Sequence, residues 1–495
     1  MNFEYSDFDV ATFRDYKELT DLCAAPAASS FWCSRLDDTL TFIPTKGVDF
    51  FFDEAGELVG LFSKQQKGQD FSSNGGYRQG INAGQNLIPV GSSVPGGAVL
   101  LNGDYQKPEN IESSWQKTGD TEITGIFSYT LGDIAIEKQL VVSNITNVLD
   151  VSLTATRADG SDASEAVAVQ YALPGIAKSK SPVFKIGQGE TFSENPVSQA
   201  VSSPSYISVQ SNARPVSSST ALILRPFATT DDLSALFLSP NIISLEKELA
   251  AEPGSSVQLE FEQYGGQNEL VRYYQEGFKD LPGLFNPNIL GQMSLGILWA
   301  LQQIHKVVGN WGLTIILLTL LFRLLVWPLI STQTRSMYAM QRLQPKLQEL
   351  QKKYKDDREK LTQETMKLYQ TEKVNPAGGC LPALVQMPLF IILWRVFVNF
   401  EFNEGFLWIP DLGQPDPTYI LPILYVGVIF AQSYFMSQGN KQSLQQQLMI
   451  NAVFIFFVIS FPAGVTLYWV TSMLVQVFQY WLIRRSQPKV AALSK

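Results

Sequence analysis

Apolar positions along this chain follow two rhythms. From about residue 35 to 275 they alternate with polar ones at a period of two, broken by Gly, Pro, Asn and Asp; the clearest stretches are 141–155, 167–172, 207–210 and 257–263. Alternation turns one face of each segment toward a core, so many short strands with turn signals predict an all-β, sandwich-like domain over residues 1–275. The Ser- and Pro-rich stretch 192–221 reads as a long loop or an edge excursion rather than core. Beyond residue 310 long apolar runs take over: 311–330, 381–400, 419–436, and one from 448 to 483 interrupted at Phe461, Pro462, Ala463 and Gly464. A helix of about 20 residues reaches ~30 Å, the thickness of a bilayer's hydrocarbon core. These runs therefore predict five transmembrane helices, the fourth and fifth over 446–461 and 465–483, within an α-helical membrane core at 311–485.

Two further segments read as amphipathic. In the linker 276–310, residues 289–308 are apolar with Gln292, Gln302, Gln303, His305 and Lys306 interspersed, the pattern of a helix lying in the outer interface. Between the first two spans, Met337, Met340, Leu343, Leu347, Leu350 and Tyr354 recur at three and four. Asp356 and Asp357 then make a turn, and Leu361, Thr365, Leu368 and Tyr369 continue beyond it. That is a charged helical hairpin over 331–379 with one apolar stripe. It is far longer than a connection requires, which points to docking of a partner.

Charge orients these elements. Residues 1–280 carry 19 Lys+Arg against 36 Asp+Glu, a balance of −17, and the remainder carries 18 against 10, a balance of +8. An anionic first part argues against nucleic-acid binding. Within the second part the 331–379 loop carries ten Lys+Arg and six Asp+Glu, whereas 401–418 holds Glu401, Glu404, Asp411 and Asp416 and no base. Lys441, Arg484, Arg485, Lys489 and Lys495 lie further on. By the positive-inside rule the hairpin, the Lys441 loop and the tail 486–495 are cytoplasmic, and the β-domain is extracytoplasmic. An exported domain needs a signal, yet Glu4, Asp7, Asp9, Arg14, Asp15, Lys17, Glu18 and Asp21 interrupt residues 1–30. Either an anchor helix upstream of this chain is expected, which is the favoured reading, or the β-domain stays cytoplasmic against the charge pattern.

The available chemistry is narrow. His305 is the only histidine, and Cys23, Cys33 and Cys380 are the only cysteines, so a His-based triad, a zinc site and a haem site are excluded, and no metal or cofactor is expected. Cys23 and Cys33, ten apart, form either a disulfide or two separate thiols, and Cys380 packs at the entrance of an apolar run. No Gly-rich phosphate loop or nucleophile elbow occurs in the β-domain, and no spacing singles out an acid and base among its carboxylates. Arg323 is the most informative residue. An arginine at the centre of a span costs roughly 2.5–3.5 kcal/mol on insertion scales. It stands about 12 Å from the cytoplasmic end of its span, beyond easy snorkelling reach, and so should face a wet cavity or a partner, the cavity being the favoured reading. Thr319, one turn earlier, shares its face. The five runs contain no Asp or Glu, which weighs against an ion-coupled transporter. What remains is a lone buried cation among Thr319, Gln386, Tyr468, Trp469, Ser472 and Gln476, consistent with a hydrophilic, positively charged recess open to the cytoplasm.

Ordered motifs then give a resemblance. Asn310-Trp311-Gly312-Leu313 precedes Arg323, and Trp327-Pro328-Leu329, Gln344-Pro345-Lys346 and Glu372-Lys373-Val374-Asn375-Pro376 follow it. Next come Gly378-Gly379-Cys380, Gln386-Met387-Pro388, Phe461-Pro462-Ala463-Gly464 and Leu467-Tyr468-Trp469. This set, spanning about 310–485, resembles the YidC membrane protein insertase family; the β-domain resembles the large periplasmic domain of Gram-negative members in position and size. The resemblance implies a non-enzymatic insertase and membrane chaperone of the bacterial inner membrane. Its helices would surround a groove closed to the outside and open to cytoplasm and lipid. It implies that Arg323 is the groove arginine, with Thr319 its neighbour and Tyr468 and Trp469 the groove aromatics. Leu381, Pro382, Met387 and Pro388 would lie on the face of the second span that guides an incoming helix, together with the fourth span. The implied partners are nascent membrane proteins, the ribosome through the hairpin and tail, the lipid bilayer and the Sec translocon, with insertion alone or beside Sec.

The expected mechanism draws a client's polar flank into the groove toward Arg323 while its apolar segment partitions into lipid. Two other classes compete. A channel or transporter would need a continuous outward path. A sugar-processing or binding enzyme tethered to the membrane would need acid and base residues in the β-domain.

Overall fold

The computed structural model of the protein describes residues 34–35, 40–45, 47–64, 86–88, 94–119, 121–143, 146–176, 182–196, 200–211, 219–238, 241–355, 357–372, 381–402, 404–437, 444–445, 448–449, 451–452 and 457–486. The segment 1–30, Cys23, Cys33, Cys380 and Lys441 lie outside these residues. The chain divides into two compact units, Met1–Pro287 and Asn288–Lys495.

The first unit is a β-sandwich. Its nine-stranded sheet runs, edge to edge, through Thr191–Glu194, Val183–Gln188, Tyr206–Gln210, Thr220–Pro226, Ser256–Gln267, Val148–Arg157, Ile134–Ser143, Glu122–Leu131 and Glu109–Lys117. A six-stranded sheet runs through Val201–Ser202, Ser234–Leu238, Ile242–Leu249, Val167–Pro174, Ala98–Leu101 and Asp104–Tyr105. A third, four-stranded sheet is formed by Ser34–Arg35, Leu40–Pro44, Val48–Asp53 and Leu58–Ser63. The period-two pattern becomes burial directly: along Ile134–Ser143, Ile134, Ile136, Lys138, Leu140 and Val142 are buried while Ala135, Glu137 and Gln139 face out. The register against Val148–Arg157 sets Leu140 opposite Val151, so inward residues meet inward residues. Phe127, Leu140, Leu153, Tyr171, Leu245 and Phe261 join one core between the larger sheets, and Phe42, Phe50, Phe51, Phe52 and Phe62 extend it from the third. Each such buried side chain contributes about 1.5–3 kcal/mol of burial free energy.

The 192–221 stretch, read as a loop or an edge excursion, holds edge strands at Thr191–Glu194 and Val201–Ser202, but the strand expected at 207–210 is interior: Tyr206–Gln210 lies inside the nine-stranded sheet, and all five of its residues are buried. Its polar side chains find partners from distant sequence. Tyr206 donates its hydroxyl to the Pro282 carbonyl at 2.6 Å, and Gln210 Nε2 donates to the Leu284 carbonyl at 3.1 Å. The helix Leu270–Gln275 (α1) and the turn after it cover this face, packing Tyr273, Phe278 and Leu284 against Tyr206, Ile223 and Tyr264. The first unit's core thus continues past residue 275.

The second unit is helical: Ile289–Val308 (α2), Trp311–Leu325 (α3), Trp327–Lys353 (α4), Arg358–Thr371 (α5), Leu381–Asn399 (α6), Ile420–Ser437 (α7) and Ala463–Ser486 (α8). Local chemistry sets the boundaries. Asn288 and Asn310 cap α2 and α3, accepting from Gly291 N at 2.9 Å and Leu313 N at 3.1 Å. Gly309 ends α2 in the left-handed region at φ 69°, which costs glycine no Cβ strain. α8 packs against α3, α4, α6 and α7, and α2 against α3 and α6.

The run 311–330 does not form one helix. It breaks at Val326 (φ −87°, ψ 2°), and Pro328 occupies the first turn of α4. A proline there has no N–H for the carbonyl four residues back and its ring crowds that carbonyl, so the helix stops and restarts. α3 is 15 residues long, about 22 Å at ~1.5 Å per residue. Within 446–461 the residues 446–447, 450 and 453–456 lie outside the described ones, and the described pieces include a 3-10 turn at Val458–Ser460. Among the described residues no helix is long and apolar enough to cross a membrane.

α4 and α5 form the hairpin. Asp357 caps α5 by accepting from Lys360 N at 3.0 Å, and Lys346 Nζ bonds Glu372 Oε1 at 2.6 Å across the pair. Leu343 is buried, and Leu347, Leu350, Tyr354, Leu361, Thr365, Leu368 and Tyr369 are half-buried along the stripe. The side chains of Met337 and Met340 are outside the description.

Candidate functional site: a buried arginine between two helices

α3 is apolar on most of its surface but buries its polar side chains. Thr314, Thr319 and Arg323 are 0%, 2% and 7% exposed, whereas Leu321, Leu324 and Leu325 on the same helix are 50%, 64% and 76% exposed. Arg323 Nε donates to Ser472 Oγ of α8 at 2.7 Å. Among the described residues Ser472 is the one hydrogen-bond acceptor recorded for a guanidinium that carries five donors. Thr319 Oγ1 donates to the Ile315 carbonyl of its own helix at 2.6 Å, so its hydroxyl proton is satisfied locally. Beside it lies a cavity of about 40 Å³ lined by Ile297, Ile315, Leu318, Thr319, Phe322, Leu389, Leu393, Phe397 and Tyr468. Its lining is almost entirely apolar, and Arg323 is not among the lining residues.

The residues expected to act together separate into groups. Arg323 and Ser472 are bonded, and Thr319 and Tyr468 share the cavity. Trp469 belongs to an aromatic cluster: it stacks on Phe390 of α6 at 5.2 Å and on Tyr425 of α7 at 5.4 Å, and meets Phe461 edge-on at 5.4 Å. Trp394 extends the cluster by packing edge-on against Phe461. Rings at these spacings join three segments to α8. Met387 is 55% exposed on α6. The side chains of Leu381, Pro382, Gln386 and Pro388 lie outside the described residues. His305 stacks face to face on Trp311, with ring centroids 3.7 Å apart.

Sequence reasoning missed Gln479. It is 1% exposed on α8, and its Nε2 donates to the Trp327 carbonyl at 3.1 Å and to Ser331 Oγ at 2.9 Å. The available signal was its place two turns after Ser472 on one face of an apolar helix.

The first unit also gathers ionisable groups that no spacing identified. Glu57 is buried and accepts from the Tyr105 hydroxyl at 2.8 Å. Lys138, also buried, donates to the carbonyls of Gly56 and Gly97 at 3.2 and 3.0 Å. Burial, followed by the neighbouring Asp53 carboxylate, pushes Glu57 up to about 8, with Lys138 opposing the shift. Burial likewise pushes Asp53 up to about 6 and Lys138 down. An acid–base pair that processes substrate must be reachable, and Glu57 and Lys138 are each 1% exposed. Among the described residues no group of His, Cys, Asp and Glu could hold a metal ion.

Comparison with known proteins places the helical unit. Residues 303–490 match the family model of the 60Kd inner membrane protein. A membrane protein insertase YidC of Deinococcus radiodurans is 38% identical over 325 residues, covering 64% of this chain and 74% of that protein. One from Methylobacillus flagellatus is 40% identical over 255 residues, covering 49% of this chain and 45% of that protein. In fold, the chain superposes on the crystal structure of an active YidC insertase with the first transmembrane domain resolved. That match has a TM-score of 0.56 and 20% identity, and covers 91% of this chain and 94% of that one.

Proposed function

The chain belongs to the YidC membrane protein insertase family, and from that premise we propose that it inserts nascent integral membrane proteins into the bacterial inner membrane and assists their folding without catalysing a covalent step. One observation carries the reading onto these residues: the helical unit is inverted relative to a water-soluble core. Leu324, Leu325, Ile423, Tyr434, Leu474 and Phe478 point outward at 50% exposure or more, while Thr319, Arg323, Ser433, Ser472 and Gln479 are buried. Lipid solvates the first set and not the second.

On this reading α3, α6, α7, the segment 446–461 and α8 are the spanning elements, the hairpin and tail are cytoplasmic, and the β-sandwich is extracytoplasmic. α3 falls short of a full hydrocarbon thickness, which a thinned bilayer or a wet interior accommodates. Arg323, Thr319, Tyr468 and Ser472 form the groove with Gln386, and Trp469 fixes its wall. A client segment gains roughly 0.3–0.6 kcal/mol for each central Leu, Ile, Val or Phe that enters lipid, and loses about 2.5–3.5 kcal/mol for each Asp carried to the same depth. Two acidic residues in a translocated flank thus offset much of the gain from a single span. The positive charge of Arg323 reduces that loss, and the client's apolar segment slides into lipid along α6 and 446–461, past Leu381, Pro382, Met387 and Pro388. The ribosome and the Sec translocon are the partners this geometry suits, at the hairpin and at the lateral face.

The test is protease protection of a single-span client with an acidic translocated tail. The client is synthesised beside liposomes holding this protein, its Arg323→Ala variant or nothing. Protection above the empty control, reduced about tenfold in the variant, is the expected outcome for loss of one desolvated charge contact. Protection equal to empty liposomes with folded, correctly oriented protein rejects the insertase reading.

A further inference from the structure

Resting on the insertase reading, we propose that Gln479 is a positioning residue: it pins the hinge at Val326 and so fixes the direction in which the cytoplasmic hairpin leaves the helical core. The break between α3 and α4 is where the chain stops lining the groove and starts building the hairpin. A helix interrupted by a proline in the next first turn has lost a backbone hydrogen bond and can swing there unless something else holds it. Gln479 supplies that hold with both protons of one amide, one to the Trp327 carbonyl immediately after the break and one to Ser331 Oγ a turn later.

Two further observations give the clasp a role in transfer as well as in packing. First, Ser472 bonds Arg323 on α3, and seven residues later along the same face of α8 Gln479 bonds the start of α4. One helix therefore grips the chain on both sides of the break. The groove arginine and the hairpin root are referenced to a single rigid element. Second, both recorded bonds of the Gln479 amide go to the start of α4, and among the described residues its Oε1 atom has no hydrogen-bond partner. A client arriving along the hairpin is thereby delivered to Arg323 at a set angle.

The experiment uses the full chain in lipid nanodiscs and liposomes. Gln479→Met keeps side-chain volume and helix propensity but removes both donors, and Gln479→Lys returns donors. Ser331→Ala removes half of the clasp from the other side should the α8 variants fold poorly, which circular dichroism reports. Hydrogen–deuterium exchange across 327–335 is compared with 311–322 and 463–476, alongside the client insertion rate. In Gln479→Met, exchange across 327–335 is expected to rise about tenfold with the other segments unchanged. Insertion is expected to slow about three- to tenfold, with Gln479→Lys recovering part of both. Unchanged exchange at 327–335 overturns the clasp, and faster exchange with unaltered insertion overturns its role in delivery. Failure of the unaltered chain to insert any client rejects the insertase reading instead, and the exchange comparison still decides the clasp.

Discussion

Glu57 shows how one buried carboxyl ties the β-domain's stability to pH. Folding holds its proton up to about 8, whereas its ordinary value is 4.5. Between those limits the folded state binds a proton that the unfolded chain has released, so stability is lost as pH rises through the window. Below 4.5 both states are protonated and the contribution is flat. Asp53, raised to about 6, adds the same sign over a narrower range. The groups facing Glu57 are Asp53, Lys138 and Tyr105. In Glu57→Gln the amide still accepts from Tyr105 and never ionises. Thermal melts of the variant are expected to show a shallower decline between pH 5 and 8 and a higher midpoint than the unaltered chain near pH 8. Parallel curves for the two proteins would refute this account. Arg323 is the matching case in the helical unit, where one charged residue in an apolar run is buried against Ser472 of another helix.

At the scale of elements, helix starts and stops follow short-range chemistry while packing sets what each position tolerates. The caps at Asn288, Asn310 and Asp357 and the left-handed Gly309 are local and readable. Gly312 is different. It lies one residue inside α3, and a Cβ added there would come within 2.0 Å of the Phe406 ring in the 401–418 loop. No feature of the 311–330 run hints at that approach, because Phe406 is 94 positions away in the chain. Gly312→Ala is expected to lower stability by about 1–3 kcal/mol despite alanine's better helix propensity. The thermal midpoint of the detergent-solubilised chain checks this, and a rise in midpoint would show that the loop moves aside freely. The same logic explains the buried strand Tyr206–Gln210. Its alternation announced a strand, but its burial in the sheet interior depends on residues 282–284, which satisfy the tyrosine and glutamine.

At the scale of the whole molecule, the two units solve opposite solvation problems within one chain. The sandwich hides its apolar side chains, and the helical unit displays many of its own while burying an arginine. If insertion resides in the helical unit, a chain lacking residues 1–275 is expected to retain most of the client protection and its full dependence on Arg323. Loss of both in a folded, oriented truncation would return weight to a β-domain that binds or processes substrate. The sequence by itself determined the division into β and α parts and the amphipathic hairpin, because periodicity and charge patterning act over a few neighbouring residues. Only the tertiary structure decided that Ser472 and Gln479 hold the two sides of the break at Val326, that Trp469 joins an aromatic cluster, and that Glu57 accepts from Tyr105. Those outcomes depend on side chains distant in sequence filling the same small volume, and no local pattern encodes which of them will meet.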